Sequence, residues 1–190
     1  MELETSRLIL RKAKKSDWKD ILEGASDLNV SKNMTTVPHP YEKGDAEWFI
    51  NDSIKKWNQK KGYSFFIELK SEKKVIGVMT IGGINEFTGT ATTGSWINRK
   101  YWKKGYITEA KIIANDFAFN TLKLQRLNST VYTKNKASNA TQSKMGYKLE
   151  GVSRKAQRSK STGKVHDINI YGLLKEDWKK ARVVLAKKYK

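Results

Sequence analysis

Runs of apolar residues along the first half of the chain predict four strands. RLILRKA at 7–13 predicts the first, and YSFFIEL at 63–69 and KVIGVMTIGGI at 74–84 predict two more, separated by the short polar turn KSEK. TATTGSWIN at 90–98 is rich in β-branched residues, which favour strands. The three later runs are close enough along the chain to form an antiparallel meander.

Three further strands are predicted in the second half of the chain. LNSTVYT at 127–133 gives one, and YKLEGVSR at 147–154 and KVHDINIYGLL at 164–174 flank the turn SKSTG. Helical patterns occur between and after these runs, so strands and helices mix along the chain. We therefore expect a single domain over residues 1–190, with a sheet of about seven strands.

Helical spacing of apolar residues predicts two helices before residue 60. Ser16 is placed to cap the short segment DWKDILEGA, and Asp45 to cap AEWFINDSIKKWNQ. In the second segment one apolar stripe recurs at the spacing of a helix. Its residues are Phe49, Ile50, Ile54 and Trp57.

Three more helices are predicted after residue 100. The first begins at Gly105, and an apolar stripe at i, i+3, i+4, i+7 and i+8 predicts that it lies on a sheet. The stripe consists of Ala110, Ile113, Ala114, Phe117 and Ala118. NKASNATQSKMGY predicts a short helix that ends at Gly146, and EDWKKARVVLAKK predicts a closing helix.

Composition narrows the classes of function. The net charge of +19 favours a polyanionic partner, either RNA or a phosphate-bearing cofactor, although the lysines are dispersed as on a solvated surface. The chain has no cysteine, and its two histidines are too few for a histidine-based metal site, so we expect no metal. No long apolar run or secretory signal pattern is present, and we expect a cytoplasmic protein.

The segment GSWINRKYWKKGYITEA predicts an anion-binding site. It runs from a strand into a helix, whose first backbone N–H groups have no partner within the helix and carry the positive end of its dipole. Gly105 permits close approach to the backbone, and Lys103 and Lys104 add positive charge. A pyrophosphate fits this chemistry, whereas the same pattern taken alone also occurs in a plain turn.

Four segments in order give the chain a family resemblance. ETSRLILRKAKKSDW, GSWINRKYWKKGYITEA, NKASNATQSKMGYKLEG and the closing HDINIYGLLKEDW resemble the GNAT family of N-acetyltransferases, in its RimJ/RimL-like branch. The resemblance covers nearly the whole chain. It implies an α/β fold with a mixed, mostly antiparallel sheet flanked by helices, and acetyl-CoA as the acetyl donor.

The resemblance also implies which residues form the site. The pantetheine arm would lie along Trp96, Ile97 and Asn98 and contact Asn135, which is equally suited to cap the following helix. Ser138 would lie near the thioester and donate a proton to the departing thiolate, as the catalytic residue. The N–H groups for the pyrophosphate would come from Lys103, Lys104, Gly105, Tyr106, Ile107 and Thr108.

Three positions depart from the family pattern. Trp102 and Ile107 replace anchor residues of the pyrophosphate loop, and Thr92 stands where relatives often carry an acid that serves as general base. The other candidate bases are Glu150, Asp167, His166 and Glu68. Without a strong base, an α-amine is a better acceptor than a lysine side chain or a polyamine, because more of it is neutral at pH 7.

The sequence therefore predicts direct acetyl transfer to a primary amine, first of all a protein N-terminal α-amine of the ribosomal-protein type. Two alternatives are a small-molecule acetyltransferase acting on a polyamine or an antibiotic, and a non-catalytic acetyl-CoA-binding protein. A pure RNA-binding module explains only the charge, since no RNA-binding signature is present, so direct nucleic-acid binding is not favoured. The resemblance also suggests a homodimer, and no membrane association is expected.

Overall fold

The computed structural model describes residues 1–188 and is built on one eight-stranded sheet. Its strands lie in the order β1-β2-β3-β4-β5-β6-β8-β7, and all neighbours are antiparallel except β5 and β6. The strands are β1 (Glu2–Glu4), β2 (Leu8–Arg11), β3 (Tyr63–Leu69), β4 (Lys74–Asn85), β5 (Thr90–Ile97), β6 (Arg126–Tyr132), β7 (Lys148–Arg158) and β8 (Val165–Leu174). This confirms the predicted fold class and all seven predicted strands. The extra strand is β1, which is too short to show a period along the sequence.

Six α-helices cover the two faces of the sheet. They are α1 (Trp18–Ser26), α2 (Leu28–Ser31), α3 (Lys43–Asn58), α4 (Tyr106–Asp116), α5 (Lys136–Lys144) and α6 (Lys175–Lys188). A 3-10 turn precedes α1, a second one precedes α4, and a π-helical turn over Phe117–Thr121 continues α4. The helix predicted after Gly105 and the one predicted to end at Gly146 are both confirmed.

Side chains from alternate positions of the strands build two separate hydrophobic cores. Phe65 and Met79 belong to the core beneath α4 and α6. Their neighbours on the same strands, Phe66 and Val78, belong to the core beneath α1 and α3. This follows from the twofold alternation of side chains along a strand. On β5 the same rule sends Trp96 to the α1/α3 face.

The two caps predicted before residue 60, Ser16 and Asp45, are both wrong, each for a local reason. Ser16 lies inside the 3-10 turn, and α1 begins after Asp17, whose carboxylate is held by Arg11 and by the backbone N–H of Lys14. Asp45 is the third residue of α3 instead of its cap. Its carboxylate accepts the backbone N–H of Glu42 at 2.9 Å, as the reciprocal half of a capping box.

Strands β5 and β6 form a fork that opens the sheet. They pair in parallel only where Thr90–Thr92 meets Arg126–Asn128. Beyond these residues β5 stays with β4 as far as Ile97 and β6 stays with β8 as far as Tyr132, so the two strands separate. The opening exposes backbone groups of both strands to whatever lies between them.

The buried residue Asn115 on α4 gives a testable prediction about stability. Its side chain is fully buried, and neither its Oδ1 nor its Nδ2 has a hydrogen-bond partner among the described residues. Leucine has the same number of side-chain heavy atoms but no polar group to desolvate. We expect Asn115→Leu to raise the free energy of unfolding by about 1–2 kcal/mol in urea titrations.

A matched control for this prediction is Asn139 on α5. Its Nδ2 donates to the backbone oxygens of Asn135 and Tyr132, and its Oδ1 accepts the hydroxyl of Tyr171 at 2.8 Å. Asn139→Leu removes these bonds and is expected to destabilise the protein. If both variants lose stability to a similar extent, the reading of Asn115 is wrong.

Candidate active site

A cavity of about 810 Å³ lies at the fork and is lined by both faces of the sheet. Thr93, Ser95 and Ser129 line it from the α4/α5 face, and Gly94 and Trp96 line it from the α1/α3 face. The volume lies within the range of pockets that bind cofactors and drug-sized ligands. The cavity therefore borders both faces of the sheet at the fork.

The start of α4 forms one end of this cavity. Gly105 precedes the helix with φ +81°, a left-handed conformation that favours glycine. The first hydrogen bond of the helix is that from the Glu109 N–H to the Gly105 oxygen, so the N–H groups of Tyr106, Ile107 and Thr108 have no partner within the helix. These groups and the helix dipole form a site suited to phosphate.

Glu109 lies in the first turn of α4, where a carboxylate would repel a phosphate. Its side chain is held by Arg7, whose Nε donates to Oε2 at 2.7 Å, and by the hydroxyl of Thr5. The Arg7 guanidinium also packs on the ring of Tyr106, 4.4 Å from the centroid. Arg7 therefore offsets the negative charge nearest the helix start.

Most of the predicted site residues are brought together in the cavity. Those that line it are Trp96, Ile97, Lys103, Gly105, Tyr106, Ile107, Thr108, Asn135 and Ser138. Asn98 and Lys104 do not. Asn98 donates its N–H to the Ile76 oxygen and caps the 3-10 turn, and the Lys104 ammonium lies over the ring of Tyr101.

Asn135 and Ser138 meet at the start of α5. Asn135 is the N-cap, and its Oδ1 accepts the backbone N–H of Ser138 at 3.2 Å. Both residues also line the cavity. The capping role and the cavity-lining position are thus compatible, because the cap orients the first turn of α5 towards the fork.

None of the acids and histidines considered as a general base lines the cavity. Glu150 pairs with Arg126, Glu68 pairs with Arg11, and Asp167 accepts the N–H of Lys155. The His166 ring stacks on Tyr132 with centroids 4.1 Å apart, at the edge of a neighbouring cleft. Among the described residues, no aspartate, glutamate or histidine borders the 810 Å³ cavity.

A polar network on the α4/α5 face of the fork was missed by sequence reasoning. Lys111 on α4 is only 3% exposed, and its Nζ donates to the Gln142 Oε1 at 3.1 Å. The Gln142 Nε2 donates to the Ser129 Oγ at 2.6 Å, which joins α5 to β6. Burial lowers the pKa of Lys111 to about 8.

The network continues to β5 through Thr93 and Tyr147. Their hydroxyls lie 2.9 Å apart, and the Lys111 Nζ is 5.8 Å from the centre of the Tyr147 ring. Burial raises the pKa of Tyr147. One signal was present in the sequence, because Lys111 precedes Ala114 by three residues and Ala118 by seven, which is the spacing of the buried stripe.

The described residues contain neither a membrane-spanning helix nor a cluster of metal-ligand side chains. Between residues 1 and 188, no helix combines the length and the apolar character that crossing a bilayer requires. In the same range, no three His, Cys, Asp or Glu side chains are grouped so as to hold a metal ion.

Comparison with known proteins identifies the family. A profile described as "Acetyltransferase (GNAT) domain" matches residues 7–148. The chain is 29% identical over 178 residues to the uncharacterized N-acetyltransferase YoaA of Bacillus subtilis (strain 168). The match covers 91% of this chain and 96% of the relative.

Two solved structures share the fold. Microcin C7 self immunity acetyltransferase MccE, in complex with acetyl-CoA and AMP, is 25% identical with a TM-score of 0.79, and the match covers 90% of this chain and 93% of that one. RimL, a ribosomal L7/L12 alpha-N-protein acetyltransferase in complex with coenzyme A, has a TM-score of 0.81, with 92% and 98% covered. At 17% identity, RimL supports the fold alone.

Proposed function

The chain belongs to the GNAT family and is an acetyl-CoA-dependent N-acetyltransferase, and within that activity we propose that its acceptor is a protein N-terminal α-amine of the ribosomal-protein type. The observation that carries the proposal is the absence of acid and imidazole side chains from the described lining of the cavity. The cavity therefore acts on the neutral fraction of the acceptor amine. At neutral pH this fraction is much larger for a weakly basic amine than for a strongly basic one.

The described residues fit acetyl-CoA, which supplies an activated thioester when bound. The N–H groups at the start of α4 suit its pyrophosphate, and Lys103 adds positive charge beside them. The separated edge of β5 at Trp96 and Ile97, together with Asn135, offers hydrogen-bonding groups to the amides of the pantetheine arm. Ile107 lines this site and packs on the core without closing the cavity.

The pKa values of amines separate the acceptor classes. An α-amine with a pKa of roughly 7.8 is about 14% neutral at pH 7, whereas a lysine-like amine near 10.4 is about 0.04% neutral. The ratio corresponds to roughly 3.5 kcal/mol. A cavity without a strong base thus favours α-amines. The net charge of +19 acts in the same direction, because it repels polycations at long range.

The α1/α3 face of the cavity suits the end of a peptide. Tyr41, Phe49, Val78 and Trp96 form an apolar wall that holds side chains, and Thr80 offers a hydroxyl. The acceptor nitrogen attacks the acyl carbon directly, with no acyl-enzyme, and water collects its proton. Backbone N–H groups at the fork polarise the carbonyl, and Ser138 assists the departing sulfur.

The test is an assay of thiol release from acetyl-CoA against three classes of amine. The panel contains peptides with free N-termini, the same peptides with blocked N-termini and an internal lysine, and spermidine or kanamycin. We expect kcat/KM for the free N-termini to exceed that for the other two classes at least 10-fold. Faster acetylation of spermidine or kanamycin would refute the proposal, and acetyl-CoA binding without any turnover would favour a non-catalytic protein.

A second candidate acceptor is an anionic small molecule that carries an α-amine. A cleft of about 280 Å³ adjoins the cavity and shares Asn33, Tyr132 and Asn135 with it. Lys32, Lys134 and Lys164 line the cleft. MccE was solved with AMP as well as acetyl-CoA, and it resembles this chain over most of its length. A non-hydrolysable aminoacyl-adenylate added to the panel distinguishes this candidate, which predicts the highest kcat/KM for that compound.

A further inference from the structure

Lys111 is a buried titratable group that the mechanism above does not use. It lies at the fork on the α4/α5 face, lines the cavity and is joined through Gln142 to β6. We propose that the Lys111 ammonium donates the proton that the departing CoA sulfur takes up during acetyl transfer. Ser138 then orients this end of the donor instead of being its main source of protons.

The position of Lys111 relative to α5 supports this role. Ser138 precedes Gln142 by four residues, so the two lie on one face of the helix about 6 Å apart, and both line the cavity. The Lys111 Nζ is bonded to Gln142 at 3.1 Å. Its long, flexible side chain is therefore anchored within about one helical turn of Ser138.

The two faces of the sheet separate the acceptor from the leaving group. The phosphate site at the start of α4 lies on the α4/α5 face, so the thiol end of the donor reaches the fork from that face. The apolar wall suited to the acceptor lies on the α1/α3 face. Lys111 is on the side of the departing sulfur, which assigns it to the leaving group and not to the amine.

The electrostatic surroundings of Lys111 favour a developing anion. No ion pair of Lys111 with a carboxylate exists within the described part of the chain. Tyr147 lies beneath the ammonium, and the titratable side chains that line the cavity besides Lys111 are Tyr41, Tyr101, Lys103, Tyr106, Tyr132 and Lys144. Glu109, on the same helix, is held by Arg7. A buried cation without a counter-charge gains most from a thiolate beside it.

The pKa values of the Lys111 ammonium and of a thiol are also similar. Burial lowers the pKa of Lys111 to about 8, and an ordinary thiol has a pKa of about 8.5. Proton transfer between groups of similar pKa has a small free-energy change in either direction. At pH 7 roughly 90% of a group with this pKa is still protonated and able to donate.

The proposed transfer conserves bonds, electron pairs and protons. The acceptor nitrogen forms a bond to the acyl carbon, the C–S bond breaks, and its electron pair goes to sulfur. Lys111 gives one proton to the sulfur and becomes a neutral amine. Water takes the proton that the acceptor nitrogen loses, and Lys111 is reprotonated from solvent before the next turnover.

The first experiment uses CoA alone and is therefore independent of the acceptor. Thiolate absorbance near 240 nm is followed from pH 6 to 9.5 for free CoA and for CoA bound to the wild-type protein and to Lys111→Met. We expect the thiol pKa to fall by about one unit or more in the wild-type complex and to stay near that of free CoA in the variant. An unshifted thiol in the wild-type complex overturns the proposal without any variant having to fold.

Kinetics and stability give two further readouts. For Lys111→Met we expect kcat to fall on the order of 100-fold, with the KM for acetyl-CoA changed less than 3-fold. Lys111→Arg keeps a cation but cannot give up its proton, so it should keep the thiol shift and still lose kcat. The control variant is Lys179→Met, which replaces an exposed lysine of α6. It should leave kcat and the thiol pKa unchanged.

The stability of Lys111→Met separates a role in proton transfer from a structural role. Burial lowers the pKa of Lys111 from 10.5 to about 8, so the unfolded chain binds more protons between these values. The wild type thus gains stability as the pH rises from 8 to 10.5, and at pH 7 it carries the full cost of the buried cation. We expect a higher Tm for the variant at pH 7. Loss of kcat together with a lower Tm and an unchanged thiol pKa would show that Lys111 only supports the fold.

Discussion

Replacing Asp17 with alanine is expected to lower the free energy of unfolding by about 3–5 kcal/mol. Arg11 is 5% exposed and Asp17 is 6% exposed, and the Arg11 Nη1 and Nη2 each donate to a different oxygen of Asp17 at 2.9 Å. The variant leaves Arg11 buried with Glu68 as its only carboxylate partner in the described chain. The Lys14 N–H also loses its acceptor. Urea titration at pH 7 measures the change.

The control for this prediction is Asp52→Ala, which removes a carboxylate that is only partly buried. Asp52 pairs with Lys56 one turn along α3, and both side chains reach solvent. Such pairs contribute little, so the change should stay within about 0.5 kcal/mol. Equal effects at the two positions would show that the Arg11 network is as well solvated as a surface pair.

Strands β3 and β4 were predictable because the sheet is buried on both faces along most of their length. They therefore appear as continuous apolar runs bounded by turn residues. The caps of α1 and α3 were not predictable from residue type alone, whereas Asn135 caps α5 as its residue type predicts. Asp17 and Asp45 both have capping chemistry, yet one is used by Arg11 and the other by Glu42, which depends on contacts that only the folded chain creates.

The helix start proposed to bind phosphate could be located in the sequence for a different reason. It is made by consecutive residues around Gly105, so its geometry is local and appears in the sequence. The network of Lys111, Gln142, Ser129 and Thr93 comes from four separate elements, and no short segment contains it. The position of Asn98 outside the cavity also has a local cause, because its side chain caps a 3-10 turn.

Replacing Gly94 with phenylalanine is expected to lower kcat/KM for the acceptor on the order of 1000-fold, or about 4 kcal/mol. Gly94 lies on β5 opposite Thr80, and its position relative to Trp96 places it on the α1/α3 face. A Cβ built there has no atom within 4 Å, so a side chain can begin at this position without a clash. It then fills the space through which the acceptor must approach.

The same variant tests the direction from which each substrate enters the cavity. In the proposed arrangement acetyl-CoA binds from the α4/α5 face, so calorimetry should show its dissociation constant changed less than 3-fold by Gly94→Phe. Gly151→Phe on β7 is the matched control, because a Cβ there also has no atom within 4 Å but the residue does not line the cavity. Weakened acetyl-CoA binding with an unaffected acceptor KM would mean that the two substrates enter from the opposite faces to those assigned here. In that case Lys111 would face the amine instead of the sulfur, and it could not deliver its proton to the leaving group.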